Sequence, residues 1–315
     1  MSLERQVLLV DCGAEKLTQV RPGLANGVAE YWMNVDGARM RYLRAGSGPA
    51  LVLVHGLLGY SFSWRYVMPA LAPYFTVYAP DMLGAGFSDR APSLDYSMSA
   101  VARRLVHFVT NLNIASSTFD LLGTSHGGTV AIMAAADCLH VDSTVRVRRL
   151  VLVAPANPFS AHGRRRASFF GSSLGASLFR HSIARMPFLF RFGHRRLYAT
   201  PRNIPEDALE GYMAQLAVPG LFEHALQIVR TWTRDLKRLE DLLPSLGTIP
   251  TLLVWGADDP AVYASSAEPL SKYFLHSKTV VFPHVGHLPY EECPADFNRV
   301  LLEFLKPEPT SAVEI

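Results

Sequence analysis

The chain has 315 residues, 49% of them hydrophobic and 18% charged, enough to bury a large core as one big domain or two smaller ones. A formal net charge of only +3 argues against whole-chain binding to nucleic acid. Three widely spaced cysteines, Cys12, Cys138 and Cys293, with no CxxC pair, exclude a disulfide framework and a zinc site of the usual spacing.

In chain order, the N-terminal MSLERQVLLVDCG places a short apolar run after Glu4 and Arg5 and ends it at Asp11, too soon for a signal peptide. No apolar run reaches the roughly 18 residues of a membrane span, so a cytoplasmic location is expected. Strands are expected at Met40–Arg44, after a turn at Asp36-Gly37, at Leu51–Val54, a fully apolar run, and at Phe75–Tyr78. Ser99–Leu112 carries apolar residues at helical spacing. Further strands are expected at Phe119–Leu122, Leu150–Val153, Thr251–Trp255 and Thr279–Phe282, and a last helix at Pro294–Leu305 with proline in its first turn. Strands alternating with helices imply an α/β fold, a mostly parallel sheet covered on both faces.

The alternation stops after Ala154-Pro155 and resumes near Ile249-Pro250. Residues 156–248 therefore read as a helical insertion, a cap or lid at the carboxyl edge of a sheet built by residues 1–155 and 249–315, the edge where open α/β sheets bind ligands. From Asn157 to Arg202 the insertion holds nine arginines (164, 165, 166, 180, 185, 191, 195, 196 and 202) and no acidic residue or lysine, interleaved with phenylalanine and leucine. One reading is an amphipathic cap with solvated arginines. Another is contact with an anionic membrane or lipid surface, and a third is an arginine that meets an anionic group of the substrate. An apolar, aromatic cap suits a hydrophobic acyl or alcohol group.

Chemistry concentrates in FDLLGTSHGGTVAIMAAA, where Ser125 stands between Gly123 and Gly127 as a strand becomes a helix. A strand that turns sharply into a helix holds one side chain above the strand ends and needs tiny neighbours two positions to either side. The same G-x-S-x-G pattern recurs at 171–175, but with no strand before it, and reads there as a helix connection. A serine nucleophile needs a base, and the base an acid. TLLVWGADDP supplies Asp258 and Asp259 after a strand, and TVVFPHVGHLPYEE supplies His284 and His287 after the last one.

On HGLLG at 55–59, PDMLGAGFSD at 80–89, GTSHGG at 123–128, WGADD and GH, the chain resembles the α/β-hydrolase superfamily, in the branch with an inserted helical cap, from about Val35 to Leu305. The resemblance implies Ser125 as nucleophile, Asp259 rather than Asp258 as acid, and His287 rather than His284 as base. It implies an oxyanion hole from the backbone N–H groups of Leu57 and His126, and a bracing role for His55. Asp81, Gly84 and Gly86 are expected to form a structural turn. Epoxide hydrolases and haloalkane dehalogenases resemble this arrangement but carry aspartate at the elbow; serine directs attack to an acyl carbon. The expected activity is cofactor-independent hydrolysis of small-molecule esters, as a carboxylesterase or monoacylglycerol-type lipase. A carbon–carbon hydrolase of ring-cleavage dienoic acids and a non-catalytic ligand-binding scaffold are the alternatives. No pattern in the chain encodes an oligomeric state.

Overall fold

The computed structural model describes residues 27–112, 114, 116–140, 142–160 and 187–306. Eight strands form one sheet: β1 (Val28–Val35), β2 (Ala38–Ala45), β3 (Ala50–Val54), β4 (Thr76–Pro80), β5 (Thr118–Thr124), β6 (Arg146–Val153), β7 (Thr251–Gly256) and β8 (Ser277–Phe282). Their spatial order is β1-β2-β4-β3-β5-β6-β7-β8. From β4 through β8 every neighbouring pair is parallel, while β1–β2 and β2–β4 run antiparallel at one edge.

Each expected strand falls within, or within one residue of, an observed one, and the last helix spans Pro294–Leu305 as expected. β1 is the addition. Asp36 and Gly37 both have positive φ, 53° and 78°, which matches the right-handed twist of a tight hairpin and folds Val28–Val35 back onto β2. Glu30 on β1 then meets Arg41 on β2 in a buried ion pair at 2.8 Å.

The pleat sorts the central strands between two cores. Val52, Val54, Leu121, Leu152, Leu253 and Trp255 pack on one side, against the helices Met98–Asn111 and His126–Asp137. Leu51, Leu53, Leu122, Val151, Val153, Leu252 and Val254 pack on the other, with Trp64, Met68 and the helix Pro294–Leu305. All of these strand residues are fully buried, each contributing about 1.5–3 kcal/mol. Because β3, β5, β6, β7 and β8 are parallel, the loops after Val54, Thr124, Val153, Gly256 and Phe282 leave from the same edge of the sheet.

Between β6 and β7 the described residues form helices Pro187–Arg195, Ala208–Ala214 and Leu221–Leu242 with short 3-10 turns, and no strand. This connection is tied to the loops below it. Tyr60 donates its hydroxyl to the Gly211 carbonyl at 2.6 Å, and Gln215 donates to the Leu58 carbonyl at 2.7 Å. Tyr198 donates to Glu291 at 2.6 Å, Tyr212 donates to the other oxygen of that carboxylate, and Arg65 joins Glu291 to Asp207. The second G-x-S-x-G, at 171–175, and Arg164, Arg165, Arg166, Arg180 and Arg185 lie outside the described residues.

Candidate active site

Ser125 links β5 to the helix His126–Asp137 with φ 52° and ψ −122°, a conformation that costs a non-glycine residue about 1–3 kcal/mol. Packing on every side imposes it. The Ser125 N–H donates to the Val153 carbonyl on β6 at 2.9 Å, and the Ser125 carbonyl accepts from Gly128 and Ala156. A Cβ at Gly123 would lie 2.3 Å from the Gly127 carbonyl oxygen, and one at Gly127 would lie 2.2 Å from that of His55. The two glycines therefore serve different contacts: Gly123 lets the turn close on itself, and Gly127 lets the helix seat against the β3 loop. Ser125 is half-buried, and its own Cβ lies near Gly56, where an added Cβ would approach it to 3.2 Å.

Asp259 and His287 form the buried pair. Asp259 Oδ1 accepts from the N–H groups of Ala261 and Val262 at 2.7 and 2.9 Å, which locks the carboxylate. Its Oδ2 faces His287 Nδ1 at 2.7 Å. A carboxylate only accepts, so Nδ1 carries the proton and Nε2 is left as the basic nitrogen. The neighbours Asp258 and His284 also face each other, but at 3.9 Å, with their side chains 55% and 94% exposed. Sequence spacing alone left these two pairs adjacent; burial separates them.

Ser125 and His287 line one cavity of about 440 Å³. Its walls include Leu57, Leu58, Ala156, Val262 and Tyr290 from the sheet loops, and Leu189, Phe190, Leu197 and Trp232 from the β6–β7 connection. His126 is the first residue of its helix, so its N–H has no intrahelical acceptor and points from the helix start beside Ser125. Leu57 follows Gly56 on the facing loop. The His126 ring is turned away, buried and stacked on Trp232 with centroids 6.1 Å apart. Burial, with His55 nearby, lowers its pKa to about 3, so the ring is neutral.

The Met82 N–H donates to His55 Nε2 at 3.0 Å, which leaves Nδ1 to carry the proton that it gives to the Gly56 carbonyl at 2.9 Å. His55 thus ties the loop after β3 to the loop after β4. Asp81 is fully buried and binds Arg41 and the N–H groups of Ser61 and Phe87. A Cβ at Gly86 would strike that carboxylate at 2.3 Å, and one at Gly84 would strike the His224 ring.

Three polar cavity residues lie beyond what the sequence indicated. Tyr212 and Ser63 sit 2.9 Å apart at one end, and His194 packs its ring 4.1 Å from that of Tyr212. Burial, reinforced by Arg65 and His287, lowers the His194 pKa to about 4. Their signal was weak, because each lies on a helix or turn whose inward face the sequence does not reveal. Among the described residues, no group of three or more His, Cys, Asp or Glu is placed to hold a metal ion, and no helix is long and apolar enough to cross a membrane.

A family model described as alpha/beta hydrolase fold matches residues 49–294. Haloalkane dehalogenase 2 of Mycobacterium tuberculosis is 27% identical over 282 residues, covering 86% of this chain and 93% of its own. N-formylmaleamate deformylase of Pseudomonas putida is 39% identical over 134 residues, 42% of this chain and 47% of its own. The solved structure of the epoxide hydrolase CorEH without ligand superposes with a TM-score of 0.75 at 24% identity, covering 88% of this chain and 98% of the other.

Proposed function

The chain belongs to the alpha/beta hydrolase fold family, and from that premise we propose that it is a serine hydrolase cleaving carboxylic esters of hydrophobic acyl or alcohol groups. One observation carries the reading: a serine held in strained backbone and the histidine of a buried Asp–His pair line the same mainly apolar cavity.

In this mechanism Ser125 Oγ attacks the ester carbonyl carbon while His287 Nε2 takes its proton. Asp259 holds the imidazole in that tautomer and stabilises its charged form. The carbonyl oxygen becomes an oxyanion and accepts from the N–H groups of Leu57 and His126, each donor being worth about 3–4 kcal/mol to the transition state. The tetrahedral centre collapses, the C–O bond to the alcohol breaks, and His287 returns the proton to the departing oxygen. Water then attacks the acyl-enzyme, giving its proton to His287, and the carboxylic acid leaves as Ser125 is regenerated. Residues 156–248 act as the cap that excludes bulk water from these steps, over a core of residues 1–155 and 249–315.

The choice of an acyl carbon rests on the residue at 125. A serine alkylated at an unactivated carbon would yield an ether that water does not readily cleave, whereas an acyl-serine is an ordinary ester. The deformylase relative is named for removing a formyl group, which is also acyl chemistry. The dienoate alternative is less well supported, because no arginine stands among the described residues that line the cavity to receive a carboxylate.

The test is labelling with a serine-directed fluorophosphonate, followed by esters of graded chain length. Ser125→Ala should lose the label and at least a thousandfold in turnover while keeping its melting temperature. Undiminished turnover in that variant ends the reading.

A further inference from the structure

The helix Pro187–Arg195 has two faces, and neither is the usual polar one. Inward, Phe190 is 6% exposed and, with Leu189, Gly193 and His194, lines the cavity. Outward, helical positions 188, 191, 192 and 195 follow the spacing of a single stripe and read Phe, Arg, Phe, Arg, and Arg196 follows them in the turn just past the helix. All five are exposed, Phe188 at 61% and Phe192 at 58%. The guanidinium of Arg196 lies 5.6 Å from the centre of the Phe192 ring. A cap helix that only covered a pocket would bury its aromatic residues and expose its charges. Here the buried set is complete without Phe188 and Phe192.

We propose that this stripe docks the protein on an anionic lipid surface, Phe188 and Phe192 entering the acyl boundary while Arg191, Arg195 and Arg196 meet headgroup phosphates. Apolar insertion and charge attraction are the two independent signals that such docking requires. The charge pattern selects the partner. Between Asn157 and Arg202 there is no Asp or Glu, so the segment does not neutralise itself, and a two-fold contact between copies of this face would set arginine against arginine. Gly193 adds the link to the cavity: it is exposed, lines the cavity and has open space where a Cβ would stand. The rim of the cavity therefore adjoins the docking stripe, and an apolar ester could pass from the lipid surface into the site. Only that last step rests on the ester reading above; the docking itself does not.

The test uses the full chain with Ser125→Ala, so that no turnover confuses binding, and sediments it with phosphatidylcholine vesicles with and without phosphatidylglycerol. Partitioning to the anionic vesicles alone is expected. Arg191→Gln/Arg195→Gln/Arg196→Gln should weaken it roughly 100-fold, and Phe188→Ser/Phe192→Ser roughly tenfold or more. Circular dichroism and melting temperature verify that both variants fold. Partitioning that is unchanged in either folded variant overturns the proposal. So does a dimer in sedimentation velocity that Phe188→Ser/Phe192→Ser abolishes while vesicle binding stays nil. If the fluorophosphonate test fails but these vesicle results hold, the ester reading falls and the docking surface stands.

Discussion

Gly256 and Gly286 pass so closely that a Cβ on Gly256 would lie 2.1 Å from the carbonyl oxygen of Gly286. The first ends β7 three residues before Asp259, and the second immediately precedes His287. This contact sets the separation of the two loops whose side chains meet at 2.7 Å. Gly256→Ala forces backbone to move, since Val285 O lies equally near at 2.2 Å. Its expected cost is about 1–3 kcal/mol of stability, read by thermal unfolding, and, on the proposed mechanism, roughly 100-fold in kcat/KM, because a displacement near 1 Å would misalign Asp259 and His287. Wild-type kinetics in this variant would refute the link between the glycine contact and the pair.

The two carboxylates of the loop after β7 should separate in a paired experiment. Asp259→Asn removes the acceptor that fixes the His287 tautomer, and kcat should fall on the order of 10³–10⁴-fold. Asp258→Asn touches only a half-exposed side chain 3.9 Å from His284 and should change kcat less than about twofold. Equal losses would mean that the wrong pair carries the chemistry.

Acid should unfold the protein through its neutral histidines. Burial lowers the pKa of His126 to about 3 and that of His194 to about 4, and it also lowers His55 and His224. The unfolded chain, with histidine near 6.5, binds protons that the folded chain refuses, so stability is full above about pH 6.5 and declines as pH falls below it. For His126 and His194 together the loss between pH 7 and pH 5 is roughly 4 kcal/mol, seen as a falling melting temperature. A melting temperature that is flat across this range would contradict the neutral assignment.

Glu291 is 3% exposed and serves as common acceptor for Arg65, Tyr198 and Tyr212. Glu291→Ala leaves the half-buried Arg65 guanidinium with Asp207 as its remaining carboxylate partner and takes the shared carboxylate from the Tyr198 and Tyr212 hydroxyls, Tyr212 keeping its contact with Ser63, an expected loss of about 3–5 kcal/mol by denaturant titration. Activity per folded molecule should fall as well, since Tyr198 and Tyr212 belong to the connection that walls the cavity.

Much of this arrangement is legible one segment at a time. The apolar runs of β3 and β7 announce strands buried on both faces, and Gly123-x-Ser125-x-Gly127 announces the turn, because each signal is local. β1 was not legible in that way. Its run VAEYWMNV mixes Glu30 and Asn34 with aromatic residues, and Glu30 becomes a tolerable strand residue only once Arg41, paired with Trp32 in the β1–β2 register, reaches its carboxylate diagonally across the ladder. The Glu291 cluster hides for a related reason, since Arg65 reaches it across 226 positions of sequence. His194 and Trp232 could be assigned to helices, but periodicity does not say which helical face meets the sheet edge. In the sequence only resemblance distinguishes Asp259 and His287 from Asp258 and His284; in the fold the first two meet at 2.7 Å in a buried pair and the second two stand 3.9 Å apart in solvent.

The left-handed backbone at Ser125 is imposed by its surroundings. Its φ of 52° comes from Val153, Gly128, Ala156 and two glycine contacts, none of which involves the serine hydroxyl. The scaffold therefore acts as a socket that presents whichever short side chain occupies this point, and Ser125→Asp should be accommodated by the same architecture. One codon, rather than a new fold, separates the serine elbow of the proposed ester hydrolase from an elbow built on a carboxylate.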